Sequence, residues 1–135
     1  MDLQTFRSSS SYTSRAHDVL RNPNSRTMIP CFLTRGASSP NLPHFEKGKA
    51  LMPKALPFGI AIHALFRKNL PALDPSIGLF YFVHVYKGDN LTPEPTSGIS
   101  PRSDDLCINV YENYKSDDGF LYITYVGESV FGSEK

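Results

Sequence analysis

Hydrophobic residues fall into short runs along the chain, and three of these runs repeat at helical spacing. The first covers residues 14–22, where Ser14 can cap a helix and Pro23 prevents its continuation. Its apolar face would comprise Ala16, Val19 and Leu20. The second run covers residues 58–70 and is apolar on most sides. We predict that it forms a buried central helix.

Charged residues support two of these helices at their ends. Arg67 and Lys68 fall in the last turn of the central helix, where cations suit the helix dipole. A third run, residues 104–115, would begin at Ser103 as its cap and carries two acidic residues in its first turn. The residues that repeat along it at helical spacing are Leu106, Val110 and Tyr114.

Four other runs have the composition of β-strands: Met28–Arg35, Lys49–Met52, Gly78–Val85 and Phe120–Val126. The first two are joined by a turn-rich loop, which predicts an antiparallel hairpin. Gly78–Val85 is continuously apolar, which is typical of an interior strand and favours a parallel neighbour. A hairpin, a crossing helix and later strands together predict an α+β fold in which one sheet wraps around one helix.

The composition indicates no special class of partner. Hydrophobic residues make up 40% and charged residues 20% of 135 positions, which is ordinary for one globular domain. The net charge of +1 gives no indication of binding to nucleic acid or an anionic surface. The longest apolar run, "GLFYFVHVY", falls short of the about 18 residues of a membrane span. Membrane contact would therefore need a partner, a surface or a covalent lipid.

Two segments lack any periodicity. The first sixteen residues are rich in serine and are expected to form a disordered lead-in, although their composition is also compatible with a transit peptide. Residues 86–103 form a long loop that contains three prolines. Unstructured loops of this length are uncommon in compact domains, and they tend to be functional or disordered.

The sequence contains no motif of an enzyme or a metal site. The four histidines are His17, His44, His63 and His84, without ligand-like spacing to one another or to a cysteine. Cys31 and Cys107 occur without an export signal, which favours a reducing compartment and packed, inert thiols. Asp117 and Asp118 suit a turn before Gly119. Phosphate-binding, dinucleotide-binding and hydrolase motifs are missing, so neither a cofactor nor catalysis is predicted.

The last part of the chain resembles a known family. The run "DDGFLYITYVGESVFG" is similar to the C-terminal signature of the ubiquitin-like autophagy modifiers, the autophagy-related protein eight family. Other pieces match in the same order: "MIPCFLTR", "FEKGKALMP", "FRKNL", "LFYFV" and "VYENYKSDDGFLY". The resemblance implies a ubiquitin-like β-grasp domain at residues 27–132, with a four-stranded mixed sheet around the central helix. A flexible and helical extension would precede it at residues 1–26, and a removable tail would follow at residues 133–135.

The resemblance also implies a covalent chemistry at the end of the chain. A cysteine protease of the autophagy pathway would cut after Gly132, removing Ser133 and the two residues beyond it. Activating and conjugating enzymes would then transfer the Gly132 carboxyl to the amine of phosphatidylethanolamine, with Phe131 recognised beside the cleaved bond. Glycine suits this step because it has no side chain to obstruct a narrow enzyme channel. Without the resemblance, the same residues would be expected to form only a frayed polar end.

Family members also bind short peptides with an aromatic residue, two spacers and an aliphatic residue, which add a strand to the second strand. The implied aromatic pocket comprises Pro30, Lys49, Leu51 and Phe120, closed by a residue of the first helices. The implied aliphatic pocket comprises Ala50, Met52, Leu56, Ile62 and Leu65. Acidic residues that flank such peptides would meet Lys47, Lys49 and Arg67. Most of the apolar members would equally suit the core of any small α+β domain, and Ala50 replaces a usual tyrosine, which predicts a shallower rim.

The resemblance therefore implies a modifier of autophagy that is not an enzyme. It would reside in the cytoplasm and, after lipidation, on the autophagosome membrane, where it would recruit cargo receptors. An alternative is a ubiquitin-fold adaptor that binds partners through the same groove without being lipidated. Transfer to a protein lysine is a third possibility. The long loop at residues 86–103 and the altered groove mark the chain as a divergent member.

Overall fold

The computed structural model describes residues 3–45, 47–74 and 76–128. Two short helices come first, α1 (Leu3–Ser9) and α2 (Tyr12–Leu20). The elements that follow are β1 (Met28–Arg35), β2 (Lys49–Pro53), α3 (Phe58–Asn69), β3 (Leu79–His84), α4 (Cys107–Tyr114) and β4 (Leu121–Gly127). In the described part of the chain, no helix is both long enough and apolar enough to cross a bilayer.

The four strands form one mixed sheet in the order β2-β1-β4-β3. β1 and β2 pair antiparallel, with Cys31 opposite Ala50, which confirms the predicted hairpin. β1 and β4 form the central parallel pair, with Cys31 beside Leu121. β3 lies antiparallel to β4, with Tyr81 opposite Tyr125. The prediction of an α+β, ubiquitin-like sheet with one crossing helix is confirmed.

Alternating side chains give the sheet two buried faces. One face carries Ile29, Cys31 and Leu33 of β1, and α3 and α4 pack against it through Ala61, Ile62, Phe66, Cys107 and Val110. The opposite face carries Phe32 of β1 and Tyr122 of β4, which cluster with Phe6 of α1. Because strand residues alternate between faces, odd-numbered positions of β1 build the main core and Phe32 builds the smaller cluster.

The prediction for the third strand was wrong. β3 is an edge strand with an antiparallel neighbour, not an interior strand with a parallel one. Its apolar composition has another cause, since Val83 faces the main core while Phe80, on the opposite face, stays 37% exposed. The long loop also pairs with its outer side, where the Val83 N–H donates to the Ile99 carbonyl at 2.8 Å. The loop therefore covers part of an edge that the sequence pattern placed in the interior.

The N-terminal segment is ordered, contrary to the expected disordered lead-in. Leu3–Ser9 is helical, and the Phe6 ring stacks on Phe32 at a centroid distance of 4.4 Å. The α2 helix begins earlier than predicted, because Ser11 rather than Ser14 is its cap and accepts the Ser14 N–H. Leu20, expected on the apolar face, is 79% exposed.

The last helix also begins later than predicted, at Cys107 instead of after Ser103. The residues before it serve another helix. The Ser103 carbonyl accepts the Gly59 N–H at 2.9 Å, and the Asp105 carbonyl accepts the Phe58 N–H at 2.7 Å. These contacts satisfy the first amide groups of α3, which has no side-chain cap of its own. The segment before α4 is thus used as the cap of α3.

Candidate functional site

The outer edge of β2 presents main-chain groups that point away from the sheet. At one end of the β1–β2 ladder, the Leu33 N–H donates to the Gly48 carbonyl at 2.9 Å. Bonded and non-bonded pairs alternate along antiparallel strands, so Lys49 and Leu51 occupy non-bonded positions opposite β1. Pro30, which lacks an N–H, lies opposite Leu51 and therefore breaks no ladder bond. The amide and carbonyl groups of Lys49 and Leu51 are thus oriented toward an added strand.

A cavity of about 700 Å³ lies beside this edge. Its sheet wall consists of Pro30, Lys49, Ala50, Leu51 and Phe120. Its second wall comes from the end of α2 and the turn after it, namely Asp18, Val19, Arg21, Asn22, Pro23 and Asn24. The structure therefore brings together the four residues that the sequence assigned to an aromatic pocket. It also adds Ala50 from the proposed aliphatic pocket.

The charges at the mouth of the cavity are paired but exposed. Lys49 Nζ lies 3.3 Å from a carboxylate oxygen of Asp18, and both side chains are about half exposed. The same ammonium is 5.4 Å from the centre of the Phe6 ring. Lys47 is exposed two residues before Lys49. An exposed pair of this kind is weak, so an acidic residue of a ligand can replace Asp18 at little cost.

The residues assigned to the aliphatic pocket lie at the seam between β2 and α3. Met52 and Ile62 are 0% and 2% exposed and belong to the main core. Ala50, Leu56 and Leu65 are half-buried and pack against that core. The last three therefore supply the accessible apolar surface of the seam, while Met52 and Ile62 support it from beneath.

Arg67 lies away from the first cavity. It lines a second cavity, of about 470 Å³, together with residues of α3, β3 and the segment between them. Arg67 and Lys49, which the sequence grouped together, thus line different cavities. His63 also lines this second cavity, and it is solvent-exposed.

The sequence did not identify most of the α2 wall. The sequence placed Val19 on an apolar helix face and used Pro23 only as the end of the helix. It did not indicate that the residues after α2 would line a cavity. Their position depends on Gly119, because an added Cβ there would lie 2.9 Å from a Val19 methyl. Gly119 also has φ of +90°, a conformation that favours glycine. The close approach of α2 to this turn therefore shapes the cavity.

A buried polar cluster holds α1 and α2 in place over the sheet. The Asp118 carboxylate accepts from Arg15 Nε at 2.8 Å and from the Tyr122 hydroxyl at 2.6 Å. These two groups contact Oδ2, and Arg7 Nη1 lies 3.5 Å from the same oxygen, whereas Oδ1 accepts the Phe120 N–H at 2.9 Å. Burial, followed by the bond to Asp118, raises the pKa of Tyr122. One carboxylate thus links the N-terminal helices to Phe120 at the cavity wall.

The described residues include two free cysteines and no candidate metal site. Within residues 3–45, 47–74 and 76–128, no group of three histidine, cysteine or acidic side chains could hold a metal ion. Both cysteines are buried, and burial raises the pKa of the Cys107 thiol to about 11, so this thiol is neutral at physiological pH. The predicted processing residues, Phe131, Gly132 and Ser133, lie outside the described residues.

Residues 15–132 match the family model described as "Autophagy protein Atg8 ubiquitin like". The chain is 40% identical over 95 residues to autophagy-related protein 8h of Arabidopsis thaliana, covering 70% of this chain and 67% of that protein. It is 33% identical over 106 residues to autophagy-related protein 8 of Dictyostelium discoideum, covering 78% and 75% of the two chains.

A solved structure shows a similar fold. The crystal structure of Trypanosoma brucei ATG8 superposes with a TM-score of 0.72, covering 91% of this chain and 93% of that one, at 23% identity.

Proposed function

The chain belongs to the Atg8 family of ubiquitin-like autophagy proteins, and from this premise we propose that it is a conjugated modifier and a peptide receptor. It is cleaved after Gly132, and Gly132 is then joined to phosphatidylethanolamine. On the membrane it recruits cargo receptors through the groove formed by the β2 edge and the first cavity. It is a substrate of the cascade and has no catalytic activity of its own.

The open edge of β2 beside a cavity with apolar and polar walls is the observation that supports the receptor role. Lys49 and Leu51 direct main-chain groups outward, and the cavity begins directly at their side chains. An extended peptide can therefore gain main-chain hydrogen bonds and bury an aromatic side chain in one binding event. The accessible Ala50, Leu56 and Leu65 then suit the aliphatic residue of the peptide.

The covalent role is supported by the family and by the residue at position 132. Activation of the Gly132 carboxylate by ATP would give an acyl adenylate, from which an enzyme cysteine would displace AMP to form a thioester. The phosphatidylethanolamine amine would then attack the thioester carbonyl. An amide bond forms as the thiol leaves. Glycine has neither a Cβ nor a restricted backbone, so it passes a narrow enzyme channel more easily than other residues.

The partners follow from these two roles. They are the processing cysteine protease, the activating and conjugating enzymes, and receptor segments with an aromatic-x-x-aliphatic pattern. The protein is cytoplasmic before conjugation and lies on autophagosome membranes after it. The domain at residues 27–132 would be the conjugated form, with residues 1–26 as its extension and residues 133–135 removed.

The test is the intact mass of the protein after incubation in its own cytosol, with wild type compared with Gly132→Ala. We expect wild type to lose Ser133-Glu134-Lys135 and then to gain the mass of phosphatidylethanolamine when vesicles are added. Gly132→Ala should show neither change. An unchanged mass for wild type in active cytosol would contradict the conjugation role.

The second candidate is an adaptor that is never lipidated. One observation favours it, because the described residues that form the β2 edge and line the first cavity all precede residue 121. For an adaptor, Gly132→Ala would leave receptor recruitment unchanged, whereas a lipidated modifier would lose it from the membrane fraction. Transfer to a protein lysine would appear as a large, discrete increase in mass.

A further inference from the structure

The two walls of the first cavity differ in their chemistry. Pro30, Leu51 and Phe120 on the sheet side are apolar, and an aromatic ring can pack against them. The opposite wall, at the end of α2 and in the turn after it, includes the polar side chains of Arg21 and Asn22. A ring bound between the two walls therefore has polar protein groups on one side, and its own polar atoms affect how tightly it binds.

The side-chain amide of Asn22 has a fixed orientation in this wall. Its Oδ1 accepts the Asn24 N–H at 2.8 Å, which closes a turn directly after α2. Because a main-chain N–H needs an acceptor, the oxygen of the amide must face this turn and the NH2 group must face away from it. Asn22 is half-buried and lines the cavity, so its NH2 group is held near the space that a ligand would occupy.

The groups that this side of the cavity offers to a ligand are mainly hydrogen-bond donors. Within the part of the chain that the structure describes, no acceptor contacts the Asn22 NH2 group, and the Arg21 guanidinium takes part in no ion pair. Lys49 on the facing strand is a third donor. The Asp18 carboxylate already accepts from Lys49 at 3.3 Å. A ring buried here therefore gains most if it carries an acceptor.

The three aromatic side chains differ in this respect. Phenylalanine has no polar atom, and the indole N–H of tryptophan is a donor only. The hydroxyl of tyrosine is both an acceptor and a donor. Covering a donor without giving it an acceptor costs about 1–3 kcal/mol, so phenylalanine and tryptophan would leave the Asn22 NH2 group unpaired at this cost. Tyrosine can pair with it.

We propose that the first cavity selects tyrosine over phenylalanine and tryptophan as the aromatic residue of the receptor segment, and that Asn22 determines this specificity. The Asn22 NH2 group donates to the hydroxyl oxygen of the tyrosine, while the ring packs on Leu51 and Phe120. The hydroxyl proton remains available to Asp18 or to water. This selectivity rests on the proposed receptor role, which by itself requires only that some aromatic residue is bound.

The test is calorimetric titration of the full chain with three peptides that differ only in the aromatic residue, which is tyrosine, phenylalanine or tryptophan. All three carry the same acidic flank and the same leucine at the aliphatic position. We expect the tyrosine peptide to bind about fivefold more tightly than the phenylalanine peptide, because one hydrogen bond is worth about 1 kcal/mol. The tryptophan peptide should also bind more weakly than the tyrosine peptide.

Two substitutions test Asn22 itself. Asn22→Ala removes the donor and should bring the tyrosine and phenylalanine peptides to equal affinity. Asn22→Asp keeps an oxygen for the Asn24 N–H but replaces the NH2 group by an acceptor, so tryptophan should gain about fivefold relative to phenylalanine. Asn109→Ala is the matched control and should keep the preference for tyrosine, since Asn109 is exposed on α4 and does not line the cavity.

The outcomes distinguish the tyrosine preference from the receptor role. Binding of all three peptides with equal affinity, or tightest binding of phenylalanine or tryptophan, would overturn the preference and leave the receptor role intact. A preference for tyrosine that survives in Asn22→Ala would exclude Asn22 as its cause. Failure of every peptide to bind would contradict the receptor role itself and the preference with it. Each comparison is made between peptides on one protein, so a general loss of stability in a variant does not affect it.

Discussion

At the scale of single residues, Asp118 has the largest structural role among the polar side chains described here. It is 2% exposed, and its carboxylate contacts Arg7 and Arg15 of the N-terminal helices. The same carboxylate accepts hydrogen bonds from the Phe120 N–H and the Tyr122 hydroxyl. Arg15 is fully buried and also donates to the Ser10 carbonyl. Each buried charge is therefore balanced by a partner that is distant in sequence.

We predict that Asp118→Asn destabilises the protein by about 3–5 kcal/mol, because it removes the carboxylate that the buried Arg7 faces and leaves the buried Arg15 with only the exposed Asp89 as an ion-pair partner. Urea unfolding followed by circular dichroism gives the free energy directly. The control is Asp104→Asn, because Asp104 is 73% exposed in its ion pair with Arg102 and should matter little. Equal effects of the two substitutions would show that the buried cluster contributes no more than a surface pair.

At the scale of elements, β2 determines how a peptide would be bound. It is the edge strand next to β1, and it lies between the first cavity and α3. Leu51 occupies a non-bonded position opposite β1, so its N–H points away from the sheet. A proline at this position would remove an outward N–H without removing a bond of the β1–β2 ladder.

We therefore predict that Leu51→Pro weakens an aromatic-x-x-aliphatic peptide about fivefold more than Leu51→Ala does, because one main-chain hydrogen bond is worth about 1 kcal/mol. Both variants lose the leucine side chain, so the difference between them isolates the amide. Calorimetric titration with an acidic peptide of this pattern provides the measurement. Equal affinities would exclude strand addition at Leu51, provided that both variants unfold at similar temperatures.

At the scale of the whole molecule, the sheet is buried on both faces, and several ionisable groups are buried with it. Burial raises the pKa of Cys107 from its ordinary 9.0 to about 11. Burial also raises the pKa of Tyr125 from 10.0 to about 12, and its hydroxyl donates to the Pro43 carbonyl at 2.6 Å. The folded protein therefore holds these protons more tightly than the unfolded chain does.

This difference predicts a loss of stability in alkaline solution. The stabilising contribution of these groups is complete below about pH 9 and is lost as the pH rises through 11 and 12, because the unfolded chain releases the protons first. Urea midpoints measured between about pH 8 and pH 11 test this sign. Cys107→Ala should show a shallower fall between pH 9 and 11, and the same slope in both proteins would remove Cys107 from the explanation.

The sequence predicted several elements of the fold correctly. The position of the central helix, with Arg67 and Lys68 in its last turn, was predicted correctly. So were the bounds of β1 and the hairpin with β2. These features depend on side-chain spacing within a few residues, and such spacing is visible in the sequence. The signature around residues 117–132 indicated the family for the same reason.

The edge position of β3 and the helix near the N-terminus could not be predicted from the spacing of side chains within a few residues. A continuous apolar run is typical of a strand that is covered on both faces, but in β3 only the face with Val83 packs on the main core. Phe80 on the other face is 37% exposed, and the long loop pairs with the outer edge of the strand. Serine-rich residues near Phe6 suggested disorder, yet the ring is only 5% exposed because it stacks on Phe32. Such contacts join residues far apart in the sequence, and no local pattern reports them.

The sequence by itself therefore determined the four strands and the central helix, the family and the residue types of the groove. Only the tertiary structure decided that Lys49 and Leu51 direct their main-chain groups outward and that α2 supplies the second wall of the cavity. It likewise placed Arg67 at a different cavity, next to the point where β4 ends. Propensity and spacing act within one element, whereas register and strand order depend on the packing of all elements together.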